Sequence, residues 1–179
     1  QRPPDNTHKV NFDASFYVET GRGAWGCVVR NSHGEFLAAR SGYLEHMAGP
    51  LHAEASAYVR AIEAVAELGI YLVIFESESS VLVNALNSDE YDRSTIGVLL
   101  RESRSIFFGN FESFAFSFCK RDCNKVAHEL AVFGYEAGGV VSLWLDEPWT
   151  LYRLLSRAIL LCGHSNGTSV SSVRKNIST

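Results

Sequence analysis

The chain has 179 residues, 46% hydrophobic and 20% charged, proportions that suit one folded domain with a full apolar core and exclude disorder throughout. Lys and Arg number 16 against 20 Asp and Glu, a net charge of -4, which excludes an overall basic field for holding a polyanion; any nucleic-acid site needs a local patch or bridging divalent cations. The longest apolar run falls short of the about 20 residues that a bilayer-spanning helix needs, so no membrane partner is expected.

Residues 1–8 include Pro3-Pro4 among polar neighbours, the composition of a linker. The chain opens on Gln1 with no signal-peptide pattern, so a region excised from something longer is expected, and a targeting signal could have been cut away with the rest. In Lys9-Val10-Asn11-Phe12-Asp13-Ala14-Ser15-Phe16, Val10, Phe12 and Phe16 alternate with Asn11, Asp13 and Ser15, which predicts a half-buried strand. Asp13 then projects from mid-sheet, where a carboxylate is costly unless hydrogen-bonded, paired with a cation or bound to a metal. Glu19 to Gly23 forms a turn, Ala24 to Arg30 a second strand, Asn31 to Gly34 a hairpin turn, and Glu35 to Ser41 a third strand.

From Leu51 to Leu68 the period becomes helical, with Tyr58, Ala61, Ile62, Val65 and Leu68 along one stripe. Carried back one turn, the stripe puts Glu54 on the buried side, and Gly69 ends the helix. Tyr71 to Phe75 is a continuous apolar run, predicted to be a central strand covered on both faces and ending in Glu76-Ser77-Glu78. Ligands gather at such carboxyl ends in open sheets. A short helix from Ser79 to Leu86, an acidic loop through Asp89, Glu90 and Asp92, and a helix from Ile96 to Phe107 follow. Phe114, Phe116 and Phe118 alternate with small residues as a fifth strand. After the polar loop Lys120 to Cys123, a last helix is predicted from Asn124 to about Tyr135, capped by Asn124 and packed through Ala127, Leu130 and Ala131. Beyond Gly138-Gly139, Pro148 opens a short amphipathic helix, and from Gly163 the composition is that of a disordered tail. The organisation expected is thus a linker over 1–8, a domain over 9–138, an extension over 139–162 and a tail over 163–179. Cys119 and Cys123 lack a second Cys/His pair for a zinc site, so reduced thiols and an intracellular location are expected, nucleus and cytoplasm undistinguished.

The phrases Lys9-Val10-Asn11-Phe12-Asp13, Gly23-Ala24-Trp25-Gly26, His52-Ala53-Glu54-Ala55, Glu76-Ser77-Glu78-Ser79 and Asn124-Lys125-Val126-Ala127-His128-Glu129-Leu130-Ala131 come in this order at plausible separations. Together they resemble the type 1 ribonuclease H family, specifically the ribonuclease H-like domains of plant non-LTR retroelement reverse transcriptases. The resemblance covers about three-quarters of the chain. It implies an α/β fold with a five-stranded mixed sheet, three antiparallel strands then two more, and helices on both faces.

It also implies two magnesium ions, with manganese able to substitute, held by Asp13, Glu54, Glu78 and His128. Cleavage of the RNA strand of an RNA-DNA hybrid would follow, Asp13 bridging both ions, with a parent reverse transcriptase-like polypeptide as context. Two-metal phosphodiester hydrolysis needs ions about 4 Å apart, which explains a carboxylate cluster that packing alone does not. Ser15, Arg22 in the Gly21 to Gly23 turn, and Asn124 are candidate substrate contacts. Glu78 and His128 stand where many relatives carry Asp and an acid; the histidine loop before the last helix and the basic handle helix are missing.

Simpler readings stay open. Asp13 could cap a turn, Glu54 could pair with an arginine, Glu76 and Glu78 could face solvent, His128 could be a hydrogen-bonded structural histidine, and Ser15 an ordinary strand hydroxyl. The alternative function is a domesticated, catalytically silent domain that binds nucleic acid or protein.

Overall fold

The computed structural model describes residues 5–88, 91 and 93–145, apart from the side chain of Phe108. Alternation along β1 (His8–Tyr17) gives the strand two different faces, Val10 and Phe12 on one and Asn11 and Asp13 on the other, and all four are buried. Both faces are covered because β1 is central: the sheet order is β5-β4-β1-β2-β3-β6. β2 (Arg22–Arg30) and β3 (Phe36–Leu44) complete an antiparallel meander, turned at Asn31 to Gly34, where Gly34 has φ 86°. β4 (Leu72–Ser77) runs parallel to β1, and β5 (Ser113–Phe118) runs parallel to β4. β6 (Ser142–Trp144), a strand absent from the sequence expectation, pairs antiparallel with β3 and makes the sheet six-stranded rather than five-stranded.

α1 (Pro50–Glu67) begins on Pro50, whose missing N–H costs nothing in a first turn. It buries Tyr58, Ala61, Ile62 and Val65 on the expected stripe and ends at Gly69, whose φ of 67° few other residues adopt. α2 (Ser80–Leu86) is capped by Ser79, which accepts from the Leu82 amide at 3.4 Å. α3 (Gly97–Asn110) buries Leu100 and Phe107. In this layer the Tyr58 ring meets Phe12, Phe75, Phe107 and Phe116 with centroids 5.5–6.2 Å apart.

Among the described helices, only α4 (Arg121–Glu136) lies on the other face, over β1, β2 and β3. Two glycine contacts let it come close. A Cβ at Gly26 would stand 2.5 Å from the Ala127 carbonyl and the Ala131 amide, and one at Gly134 would meet the Gly42 carbonyl at 2.9 Å. Val28, Ala39, Leu130 and Trp144 form the small core between.

Two expectations need correction. Asn124 does not cap α4. The helix starts at Arg121 with Lys120 as its N-cap and no side-chain capping bond, so most of the expected polar loop is the first helical turn. Asn124 is instead buried inside it, held by a backbone carbonyl of β1. β4 is also not covered on both faces. Val73 and Phe75 are buried but Leu72 and Ile74 are half-buried, because α4 stops over β1. Asp89, Glu90 and Asp92, the helix expected from Pro148 and the tail from Gly163 lie outside the described residues. Among the described residues no helix is long and apolar enough to cross a membrane.

Candidate active site

Asp13, 2% exposed, sits opposite Gly26 in the β1–β2 register. Because Gly26 has no side chain, α4 comes down onto the sheet and His128 reaches Asp13, Nδ1 to Oδ2 at 2.8 Å. A carboxylate only accepts, so the imidazole Nδ1–H is the donor. This bond raises the His128 pKa, against the opposing effect of burial.

Glu54 lies at the start of the second turn of α1, and Glu78 follows the last residue of β4. Burial first, then the charges of Asp13 and Glu78, pushes the Glu54 carboxyl up from 4.5 to about 8. Glu78 is also raised, by burial first and then by Asp13, while Arg121 and His128 lower it. The Arg121 contact is loose, Nη1 to Oε1 at 3.6 Å, and the arginine side chain is 71% exposed, so solvent screens it. One oxygen each of Glu54 and Glu78 is buried without a hydrogen-bond partner. Such atoms are costly and call for an explanation. Among the described residues, no three His, Cys, Asp or Glu side chains already stand as a metal-ligand cluster. The carboxylates therefore share an electric field without converging on one coordination point.

The three residues expected to touch substrate have different surroundings. Ser15 donates to the Ala131 carbonyl at 3.3 Å, and Asn124, 1% exposed, donates from Nδ2 to the Phe12 carbonyl at 3.0 Å. Both are turned into the seam between β1 and α4. Arg22 is exposed at the start of β2.

Sequence reasoning missed a polar network next to the site. Glu76 pairs with Lys9 at 2.9 Å and accepts from Asn11 Nδ2 at 3.2 Å, while Arg30 Nη1 donates to Asn11 Oδ1 at 3.2 Å. The available signal was the run of polar residues at positions 9, 11 and 13; the parallel pairing of Asn11 with Glu76 completes it. Cys119 is tied into the same network as an acceptor from Asn11 at 3.8 Å, and Cys27, Cys119 and Cys123 are free thiols.

A family model described as reverse transcriptase-like matches residues 11–134, a span that takes in Asp13, Glu54, Glu78 and His128. Among solved structures, RNase H1 of the halophilic archaeon Halobacterium salinarum NRC-1 is similar at 21% identity and a TM-score of 0.67, covering 74% of this chain and 99% of that one. LC11-RNase H1, solved in complex with an RNA/DNA hybrid, gives 19% identity and a TM-score of 0.66 over 73% of this chain and 97% of its own. The N-terminal RNase H domain of a Mycobacterium tuberculosis protein gives 16% and 0.65 over 73% and 94%. No curated protein matches. At these identities the structures speak for the fold, and the family match for membership. With a mixed sheet of this order and α4 crossing its far face, the chain belongs to the reverse transcriptase-like family and has the ribonuclease H fold.

Proposed function

We propose that this domain hydrolyses the RNA strand of an RNA-DNA hybrid with divalent cations, magnesium foremost and manganese as a substitute. The observation that carries the reading is the pair of buried, unpartnered oxygens on Glu54 and Glu78 beside the buried Asp13 carboxylate. Burial and the Asp13 charge raise the cost of ionising both, and Glu78 adds to that of Glu54, an arrangement that destabilises the fold unless a cation comes between them. Hard carboxylate oxygens are the donor set that magnesium prefers, so the residues fit the group. Asp13, Glu54 and Glu78 would hold the ions. Bound there, divalent cations supply an acidified water and stabilise charge on the leaving oxygen.

His128 serves Asp13 rather than an ion while its Nδ1–H donates to Oδ2, and it fixes which way that carboxylate faces. With its carboxyl raised to about 8, Glu54 would hold its proton at neutral pH in the cation-free protein and would have to give it up to serve as a cation ligand. A hybrid is also what LC11-RNase H1 was solved in complex with. Recognition would rest on 2′-hydroxyls and phosphates rather than on base sequence. A parent reverse transcriptase-like polypeptide is the context that the family match supports.

The test is cleavage of an end-labelled hybrid in magnesium or manganese by wild type and Asp13→Asn. Magnesium-dependent cutting by wild type alone supports the reading; equal activity in both proteins rejects the catalytic assignment.

A second reading, a silent binding module, draws on the lack of a preformed ligand cluster among the described residues and on the Arg121 contact to Glu78. Hybrid binding by wild type with no cleavage in either metal would favour it.

A further inference from the structure

Four contacts join β1 to α4 in the same order along both elements. Asn124 Nδ2 donates to the Phe12 carbonyl at 3.0 Å, His128 Nδ1 meets Asp13 Oδ2 at 2.8 Å, Ser15 Oγ donates to the Ala131 carbonyl at 3.3 Å, and the Tyr17 and Tyr135 rings stack with centroids 3.8 Å apart. On the helix, positions 124, 128, 131 and 135 advance by about one turn each, so one stripe of α4 runs along one strand. Gly26 sets how deep that stripe lies, and the Gly134–Gly42 approach sets its far end.

We propose that Asn124 and Ser15 are positioning residues, the two ties that hold His128 on Asp13, and not contacts to substrate. The bracket is geometric. Asn124 fastens the helix one turn before His128 to the backbone of the residue preceding Asp13, and Ser15 fastens it just after His128, two residues beyond Asp13. Asn124 is 1% exposed, and its Oδ1 is buried without a partner, so the amide is held in place by the one bond from Nδ2. A side chain so enclosed has no surface to offer a nucleic acid. Loss of either tie frees α4 to ride up by a fraction of its contact distance, and the imidazole moves with it. The consequence for turnover rests on the hydrolase reading; the placement of His128 does not.

The experiment uses the whole chain, cation-free, and follows the imidazole N–H proton of His128 by NMR alongside the far-ultraviolet circular dichroism of each variant. Ser15→Ala and Asn124→Asp, the latter keeping the side-chain shape but replacing the donor with an acceptor, should stay folded. The His128 proton should then exchange with water about tenfold faster, the equilibrium equivalent of one ordinary hydrogen bond. Ser15→Thr, which keeps the hydroxyl, should restore the wild-type rate. Should Asn124→Asp fail to fold, the Ser15 pair decides. On hybrid substrate, kcat should fall by up to about a hundredfold with KM held, as expected of a misplaced group. Folded variants with an unchanged His128 exchange rate, or with raised KM and unchanged kcat, would overturn the assignment. If wild type cleaves nothing, the hydrolase reading falls and the NMR arm still decides the positioning claim.

Discussion

Replacing Glu54 with Gln should stabilise the cation-free protein while removing its hybrid cleavage. In the folded chain the Glu54 carboxyl ionises at about 8, against 4.5 for the free group. Between these values the native state keeps a proton that the unfolded chain has lost, so unfolding becomes easier as pH rises through the window and levels off above it. At about 1.4 kcal/mol for each tenfold in the proton equilibrium, the penalty approaches about 5 kcal/mol as an upper bound. Side-chain relaxation and water entry should leave about 2–4 kcal/mol. Glu54→Gln carries no such proton, and its amide can donate to neighbouring carboxylates. Urea unfolding in chelator at pH 5 and pH 9 measures the effect. The variant should lie within about 1 kcal/mol of wild type at pH 5 and gain about 2–4 kcal/mol at pH 9. Parallel pH–stability curves for the two proteins would refute the reasoning, since Glu54 would then be solvated and remote from Asp13.

Gly26→Ala should destabilise by about 1–3 kcal/mol or more and detach His128 from Asp13, because the new methyl meets backbone atoms of α4 at 2.5 Å; thermal melts and the His128 imidazole proton report both. His128 has a pKa raised above its ordinary 6.5, so its contribution is complete below that value and is lost as pH rises through the folded pKa. Wild type, compared with His128→Ala in chelator, should show that extra loss of stability on the alkaline side of 6.5; a constant difference between them across pH would refute it. Magnesium at about 100 times its Kd should raise stability by about 2.7 kcal/mol in wild type and much less in Asp13→Asn, read as a shift in Tm.

Much of the fold was legible because it is written in short-range periods. The alternation in β1, the stripe of α1 through Tyr58 and Val65, and the stop at Gly69 are local signals, and each element formed where they pointed. The start of α4 was misjudged for a physical reason. Asn is a strong capping residue in the abstract, but a carbonyl from a strand 112 residues away claims Asn124, and no local pattern records that partner. β6 was missed because three residues, Ser142 to Trp144, give no period to read; only pairing with β3 and the Phe133–Trp144 ring contact make it a strand.

The site shows the same division more sharply. Asp13 could be singled out because a carboxylate inside an apolar alternation is anomalous wherever the strand lies. What answers that anomaly is not readable from β1. It depends on Gly26 opposite, which in sequence looks like any strand glycine and in the fold is the opening through which α4 brings His128 within 2.8 Å. The Asp13–His128 pairing and the spacing of α4 from the sheet are therefore one arrangement, and the Glu54 carboxyl is linked to it through the charge of Asp13. A methyl added at Gly26 should disturb His128 directly and alter the field at Glu54 indirectly, although Glu54 belongs to a helix on the opposite face. If Gly26→Ala shifted the His128 proton yet left the pH-dependence of stability unchanged, the carboxylates would be independent of one another and the case for a shared cation site would lose its physical basis.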